Sequence, residues 1–212
     1  MKGVQRARWG GVAFVLGVVI FLLSRFRHLV GMPEAGLWLL IPAGFALWIL
    51  GLVAFRAHYG PRARGIGRAG LHLTVVGIAL LAVGHVGLLL HLVGPHAVRH
   101  VAGAGFVPVI LGTFLLTVGA LVFGLDAVRG DVLPRLRAAP LVTGLVGLAW
   151  MLFAFDSRPD GANPEAFLAM RTLFGVGWLV VALVLATDRS ARREGQVEAP
   201  APPVPIGPTS RP

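Results

Sequence analysis

Cysteine is absent from this chain of 212 residues, which excludes disulfide bonds, thiolate metal sites and a redox-active cysteine pair. Polar side chains that carry enzyme chemistry are also scarce, because the chain has only four Ser, one Asn and two Gln. None of these residues lies deep in an apolar run. Most pairings of a nucleophile with a buried general base are therefore excluded, and we expect a protein that is not an enzyme.

Charge is sparse as well. Charged residues make up 13% of the chain and hydrophobic residues 56%, whereas roughly 25% of residues are charged in a soluble domain. The apolar residues form six runs, and no segment outside them is long enough to fold as a soluble domain. The sequence therefore predicts an all-α, polytopic membrane protein with six transmembrane helices. The predicted helices are residues 9–25, 37–55, 71–93, 105–126, 138–155 and 164–187.

These six helices are predicted to form one transmembrane domain of residues 1–188. The remaining residues, 189–212, are basic and rich in proline. Such a composition favours a disordered or polyproline II segment, because it offers few apolar side chains to bury. We therefore expect a cytoplasmic tail without a fixed structure.

Glycines recur every seven residues along the apolar runs. A seven-residue repeat of small residues exposes a strip of backbone on one helix face, so that a neighbouring helix can approach closely. We expect helix packing through these glycines. The predicted packing residues are Gly44 and Gly51 in the second run, Gly77 and Gly84 in the third, and Gly105, Gly112 and Gly119 in the fourth.

The basic residues are unequally divided between the two ends of the predicted helices. Six crossings put both termini on one side, and that side carries fourteen of the 19 basic residues: Lys2, Arg6, Arg8, Arg56, Arg62, Arg64, Arg68, Arg129, Arg135, Arg137, Arg189, Arg192, Arg193 and Arg211. The positive-inside rule then predicts that both termini lie in the cytoplasm. The same distribution explains the net charge of +10 without a nucleic-acid partner.

Two features of the cytoplasmic loops have simple interpretations. Gly65, Gly67 and Gly70 form a G-x-G-x-x-G pattern, but an apolar helix precedes it where a dinucleotide-binding unit needs a strand, so we expect a flexible basic loop. Asp126 ends the fourth run and lies three residues before Arg129. This spacing predicts an ion pair on one helix face.

Histidines near the predicted outer face are the candidate metal ligands. His96 and His100 are four residues apart, and His91 precedes them at the end of the third run. A short helix after Pro95 would present His96 and His100 on one face, with a spacing that suits Zn²⁺ or Cu²⁺. The alternative is that these histidines are solvated and the protein has no cofactor.

His85 and Arg171 are the candidate substrate-binding residues, because ionisable groups inside a membrane segment are often functional. A neutral His85 can instead be satisfied by one hydrogen bond to another helix. Arg171 can reach the outer interface and form a structural ion pair with Asp156, Asp160 or Glu165. Both alternatives stay open at the level of the sequence.

A weak internal repeat adds a hypothesis about architecture. Gly44, Gly51 and Phe55 align with Gly112, Gly119 and Phe123 at a constant offset of 68 residues. Parallel duplications of this kind occur in transporters. Because glycine-rich apolar sequence easily matches itself, duplication and chance similarity both remain open.

The segments GDVLPRLRAAPLVTGLVG and LFGVGWLVVALVLATDR lie in the second half of the chain. Residues 105–188 resemble a loosely defined set of small bacterial inner-membrane proteins with six helices and a glycine-rich fourth helix. The resemblance implies the membrane fold and the bacterial inner membrane, and it carries no activity.

The sequence as a whole predicts a non-enzymatic component of the bacterial cytoplasmic membrane, either an accessory or assembly subunit or a sensor. Its expected partners are the lipid bilayer and, in addition, other membrane proteins or further copies of itself. One alternative is a permease for a small solute or ion, with Arg171 and His85 along the path. The other is a metal-binding membrane protein that uses the outer histidines.

Overall fold

The computed structural model describes residues 2–24, 34–93, 105–133, 135–156 and 164–188. Within these ranges the chain forms six α-helices and no strand. They are α1 (Lys2–Leu23), α2 (Glu34–Tyr59), α3 (Gly65–Val93), α4 (Phe106–Gly130), α5 (Ala139–Asp156) and α6 (Pro164–Thr187). The predicted all-α class is confirmed.

Four helices contain segments that are long and apolar enough to cross a membrane. These segments are Leu40–Tyr59 in α2, Gly65–His91 in α3, Phe106–Gly130 in α4 and Ala169–Thr187 in α6. The apolar parts of α1 and α5 are shorter, namely Ala7–Leu23 and Ala139–Leu152. Four apolar helices indicate a membrane-embedded protein, while crossings by α1 and α5 stay a prediction.

Helices α1 and α3 begin earlier than hydropathy suggests. Helix α1 begins at Lys2 and α3 at Gly65, against predicted starts at residues 9 and 71. Backbone hydrogen bonds continue through polar residues at a helix end, because they do not require apolar side chains. The G-x-G-x-x-G pattern consequently forms the first turns of α3 and is not a loop. The predicted tail, residues 189–212, lies outside the described residues.

The helices are arranged as a closed ring in chain order. Each helix packs against the next one, and α1 also packs against α6. Neighbours run antiparallel, since Gly17 near the end of α1 lies against Gly44 near the start of α2, and Gly11 of α1 lies against Ala186 at the end of α6. The contact between α2 and α3 is the least extensive of the six.

The most extensive contact, between α3 and α4, is lined by glycines. Three pairs face each other: Gly70 with Gly119, Gly77 with Gly112, and Gly84 with Gly105. A Cβ atom on the first residue of each pair would lie 2.9, 2.8 and 2.7 Å from the carbonyl oxygen of the second. These distances are too short for a side chain, so the two backbones are in direct contact.

The contact between α1 and α2 follows the same principle with larger partners. A Cβ on Gly44 would lie 2.7 Å from Cγ2 of Ile20, and one on Gly51 would lie 2.5 Å from Cα of Phe14. The two glycines of α2 thus create space for side chains of α1. All seven glycines that the sequence singles out for packing lie at helix contacts in the structure.

Aromatic side chains fill the centre of the ring. Phe14 of α1 packs edge to face on Phe55 of α2, with ring centroids 6.3 Å apart, and Phe55 packs on Phe123 of α4 at 5.5 Å. Trp48 of α2 packs on Trp178 of α6 at 6.0 Å. All five side chains are at most 2% exposed. The Phe55–Phe123 and Trp48–Trp178 contacts join helices that are not neighbours in the ring, so the side chains meet across its centre.

Candidate functional site

A buried carboxylate ties the end of α2 to the end of α6. Asp188, directly after α6, accepts a hydrogen bond of 2.8 Å from the Tyr59 hydroxyl and one of 3.1 Å from Nε2 of His58. Its side chain is only 4% exposed. Tyr59 is fully buried and packs on Phe55, with ring centroids 4.7 Å apart. Hydrogen bonds to a buried carboxylate are strong, so this cluster fixes the two helix ends relative to each other.

A second buried carboxylate, Asp126 near the end of α4, holds the start of α3. Its Oδ2 accepts a hydrogen bond of 3.0 Å from the backbone N–H of Arg64, and Gly67 packs directly against the carboxylate. A carboxylate at a helix N-terminus satisfies a free backbone N–H and is favoured by the helix dipole. The predicted pairing of Asp126 with Arg129 is therefore wrong, because Asp126 turns toward α3 and away from the surface where Arg129 is exposed.

The turn between α2 and α3 is held by a third polar contact. Nε of Arg68 donates hydrogen bonds to the carbonyl oxygens of Gly60, at 3.0 Å, and Ala63, at 3.1 Å. The Arg68 side chain is otherwise exposed. Because two carbonyl oxygens fix its orientation, the guanidinium group is held in place before any ligand binds.

Between the end of α2 and the start of α3 lies a groove of about 620 Å³. We call it the basic groove, and its lining residues are Val53, Arg56, Ala57, Gly60, Pro61, Arg68, Leu71 and His72. Arg56, Arg68 and His72 are exposed and supply its polar side, while Val53 and Leu71 supply an apolar wall. No carboxylate occurs among these lining residues.

His85 is a half-buried residue of α3 that contacts α2. Its Nδ1–H donates a hydrogen bond of 2.8 Å to the carbonyl oxygen of Leu81, one turn earlier in the same helix. The imidazole ring packs on Phe45 of α2, with centroids 4.7 Å apart. This hydrogen bond is made within α3, the ring contact with Phe45 reaches α2, and the predicted hydrogen bond to another helix stays a prediction.

A cavity of about 10 Å³ adjoins His85. Phe21, Ser24, Ile41, Gly44, Phe45 and His85 line it. A cavity needs about 10–15 Å³ to hold one water molecule. The space beside His85 therefore admits at most a single water molecule.

Arg171 contacts two aromatic rings. Its guanidinium carbon lies 5.5 Å from the ring centroid of Phe21 in α1 and 5.7 Å from that of Trp150 in α5. Both distances fall within the range of cation–π attraction. The side chains of Asp156, Asp160 and Glu165 lie outside the described residues, so the predicted ion pair is untested. Phe21 contacts Arg171 and also lines the cavity at His85, so both candidate substrate-binding residues lie near one ring.

The proposed metal ligands are only partly described. His91 is exposed near the end of α3, while His96 and His100 lie outside the described residues. Within the described part of the chain, no three His, Asp or Glu side chains come together as metal ligands. The histidine site stays a prediction.

Three polar groups in the interior have no hydrogen-bond partner among the described residues. They are Nε1 of Trp48, Nε1 of Trp178 and Oγ1 of Thr117. Each buried donor without a partner costs about 1–3 kcal/mol. Trp178 makes edge-to-face contacts with Trp48 and Phe174, and attraction between the positive ring edge and the π face offsets part of this cost.

The sequence did not reveal the cluster of His58, Tyr59 and Asp188. Tyr59 is the only tyrosine of the chain and follows a histidine directly, and this local pair was the one available signal. Asp188 is 129 residues away from Tyr59 in sequence, and no pattern of spacing links the two. The cluster becomes visible only once α2 and α6 are placed together.

No protein family, curated protein or solved structure matches this chain. The resemblance of residues 105–188 to small six-helix inner-membrane proteins accordingly stays a prediction.

Proposed function

We propose that this chain is a non-enzymatic component of the bacterial cytoplasmic membrane, either an accessory or assembly subunit or a sensor. In this proposal all six helices cross the bilayer and pack through their glycines. Helices α1 and α5 have 22 and 18 residues, which gives lengths of ~33 and ~27 Å at ~1.5 Å per residue. A hydrocarbon core of ~30 Å can accommodate both. Their positions in the ring, between long apolar helices, support the same conclusion.

The proposed orientation has both termini in the cytoplasm. The turns that follow α2 and α4 carry exposed arginines, among them Arg62, Arg64, Arg135 and Arg137. Two of the acidic residues at this end, Asp126 and Asp188, are buried, so they do little to neutralise the surface. A positive surface at one end of the helices supports a cytoplasmic location for that end.

The observation that carries the proposal is the filled centre of the ring. Trp48, Phe55, Phe123 and Trp178 meet there and are almost completely buried. A permease needs a path that admits water or solute, at least in one conformation, and polar groups along it. The cavity of about 10 Å³ beside His85 is too small for such a path. A bundle whose described residues fill its centre fits a component that acts through contacts with partners.

The two alternatives have less support. A permease would use His85 and Arg171, yet the cavity beside His85 has space for at most one water molecule. A metal-binding protein would need His96 and His100 to join His91, and those two histidines lie outside the described residues. The expected partners remain the bilayer, other membrane proteins and further copies of the chain.

Reconstitution into liposomes tests the proposal. Proton leak is followed with a trapped pH dye under a potassium diffusion potential, and permeability to glycerol and urea is followed by stopped-flow light scattering. We expect vesicles with and without the protein to behave alike. A flux above the protein-free vesicles that disappears in Arg171→Gln or His85→Phe, and persists in the charge control Arg135→Gln, would establish the permease instead.

A further inference from the structure

The basic groove combines three features that suit one kind of ligand. It lies at the ends of two membrane segments, because the apolar segment of α2 ends at Tyr59 and that of α3 begins at Gly65. It exposes two arginines and a histidine, and it has an apolar wall beside them. Its volume of about 620 Å³ falls in the range of about 300–1,000 Å³ that is usual for small-molecule sites.

We propose that the basic groove binds an acidic glycerophospholipid, with the phosphate at Arg56, Arg68 and His72. Basic pockets between transmembrane helices at the cytoplasmic side are suited to anionic lipid headgroups. An arginine fork matches phosphate oxygens, which can accept two parallel hydrogen bonds. No lining carboxylate competes for the arginines or repels the headgroup.

The geometry of Arg68 favours phosphate binding in particular. Its two hydrogen bonds to the turn both come from Nε, so Nη1 and Nη2 have no hydrogen-bond partner among the described residues. These two hydrogen bonds hold the side chain in one orientation, which reduces the loss of conformational entropy on binding. Arg56 approaches from α2 and His72 from α3, so the phosphate would connect the two helices with the least extensive contact in the ring.

The apolar wall favours a lipid over a soluble anion. Val53 is 45% exposed and lies on α2 toward the membrane from Arg56. An acyl chain along Val53 would cover this surface, whereas inorganic phosphate would leave it bare. The groove lies on the outside of the ring, so lipid binding does not depend on whether the centre is sealed.

Native mass spectrometry of the full-length, delipidated protein in detergent at pH 7 tests this proposal. The probes are phosphatidylglycerol and phosphatidylcholine with identical acyl chains, and the test variant is Arg56→Gln combined with His72→Gln. Arg68 is kept because it holds the turn. Arg135→Gln is the matched control, because it removes one exposed arginine at the same end of the protein but outside the groove.

We expect one phosphatidylglycerol molecule to bind more tightly than phosphatidylcholine, and the double variant to bind it at least about fivefold more weakly, the effect of one lost cation near a membrane surface. Arg135→Gln should bind as the unchanged protein does, and Arg56→Lys should bind more tightly than the double variant but more weakly than the unchanged protein, because lysine keeps the charge and loses the fork. An equal affinity for both lipids, or unchanged binding by the double variant, would overturn the proposal. Thermal stabilisation by inorganic phosphate that depends on Arg56 and His72, without selectivity for phosphatidylglycerol, would assign the groove to a soluble anion and would also overturn it.

Discussion

Gly77 and Gly112 face each other across the contact between α3 and α4. A Cβ on Gly77 would lie 2.8 Å from the carbonyl oxygen of Gly112, and a Cβ on Gly112 would lie 2.7 Å from that of Gly77. Backbone atoms cannot move aside as a flexible side chain can. The close approach of the two helices therefore depends on the absence of both side chains, in line with small-residue packing in membranes.

Replacing either glycine with alanine should destabilise the protein. Alanine favours an isolated helix by about 1 kcal/mol relative to glycine, but the new methyl group forces the helices apart at a cost of about 1–3 kcal/mol. We expect Gly77→Ala and Gly112→Ala to lower the Tm in detergent, and the double variant to lower it further. Gly65→Ala is the matched control in α3, because nothing lies within 4 Å of its Cβ position. A Tm for Gly77→Ala at or above that of Gly65→Ala would show that the contact tolerates a side chain.

The buried carboxylate of Asp126 should stabilise the protein more than an exposed carboxylate does. Asp126→Ala leaves the Arg64 N–H without its acceptor, at a cost of about 1–3 kcal/mol, whereas Asp126→Asn keeps an oxygen in place. We therefore expect the Tm to be highest for the unchanged protein, lower for Asp126→Asn and lowest for Asp126→Ala. Asp131→Asn is the control: its exposed ion pair with Arg137 contributes about 0–1 kcal/mol. Equal effects of Asp126→Ala and Asp131→Asn would contradict this role.

Tyr59 and Asp188 should be energetically coupled. Tyr59→Phe removes the donor of the 2.8 Å hydrogen bond but leaves the ring on Phe55, and Asp188→Asn weakens the acceptor. A hydrogen bond to a charged group contributes about 1.5–3 kcal/mol, so the double variant should lose less stability than the two single variants combined. Thr187→Val, which removes an exposed hydroxyl next to Asp188, should have little effect. Additive losses from Tyr59→Phe and Asp188→Asn would refute the coupling.

The proposed topology can be tested by labelling single cysteines, because the chain has no cysteine of its own that would react. Gln5→Cys, Phe106→Cys and Arg135→Cys place a thiol at exposed positions in α1, at the start of α4 and before α5. A membrane-impermeant maleimide should label Phe106→Cys in intact cells, and the other two only after the membrane is permeabilised. Labelling of Gln5→Cys from outside would show that the orientation is reversed. Labelling of Phe106→Cys and Arg135→Cys from the same side would show that α4 does not cross the membrane.

The sequence predicted those parts of the fold that follow from local composition. Long apolar runs give helices because buried backbone groups in a membrane must bond within the helix. Helix ends were less well predicted, since hydropathy falls at Arg64 and Arg68 while the backbone of α3 remains helical from Gly65. The heptad of Gly105, Gly112 and Gly119 marks a packing face. This heptad does not identify the partner helix, because α1, α2 and α3 carry similar glycines.

The candidate site was harder to predict, because its contacts are distant in sequence. Asp126 could be paired with Arg129 on one helix face, and only the antiparallel contact of α3 and α4 brings it to the backbone of Arg64. Phe55 and Phe123, which the internal repeat aligns, are in ring contact across the centre, and duplication stays a prediction.

Water access to the centre of the ring tests the central claim most directly. Ala120 lies on the buried face of α4, one turn from Phe123, and is 1% exposed. In Ala120→Cys, a small water-soluble thiosulfonate reagent should leave the thiol unmodified in the native protein and modify it after denaturation in SDS. Gly65→Cys, at an exposed position, should react in both states. An unreactive native Ala120→Cys is the result expected of a sealed component. Modification of that thiol in native membranes would show that water reaches the centre, and the proposed function would then be wrong.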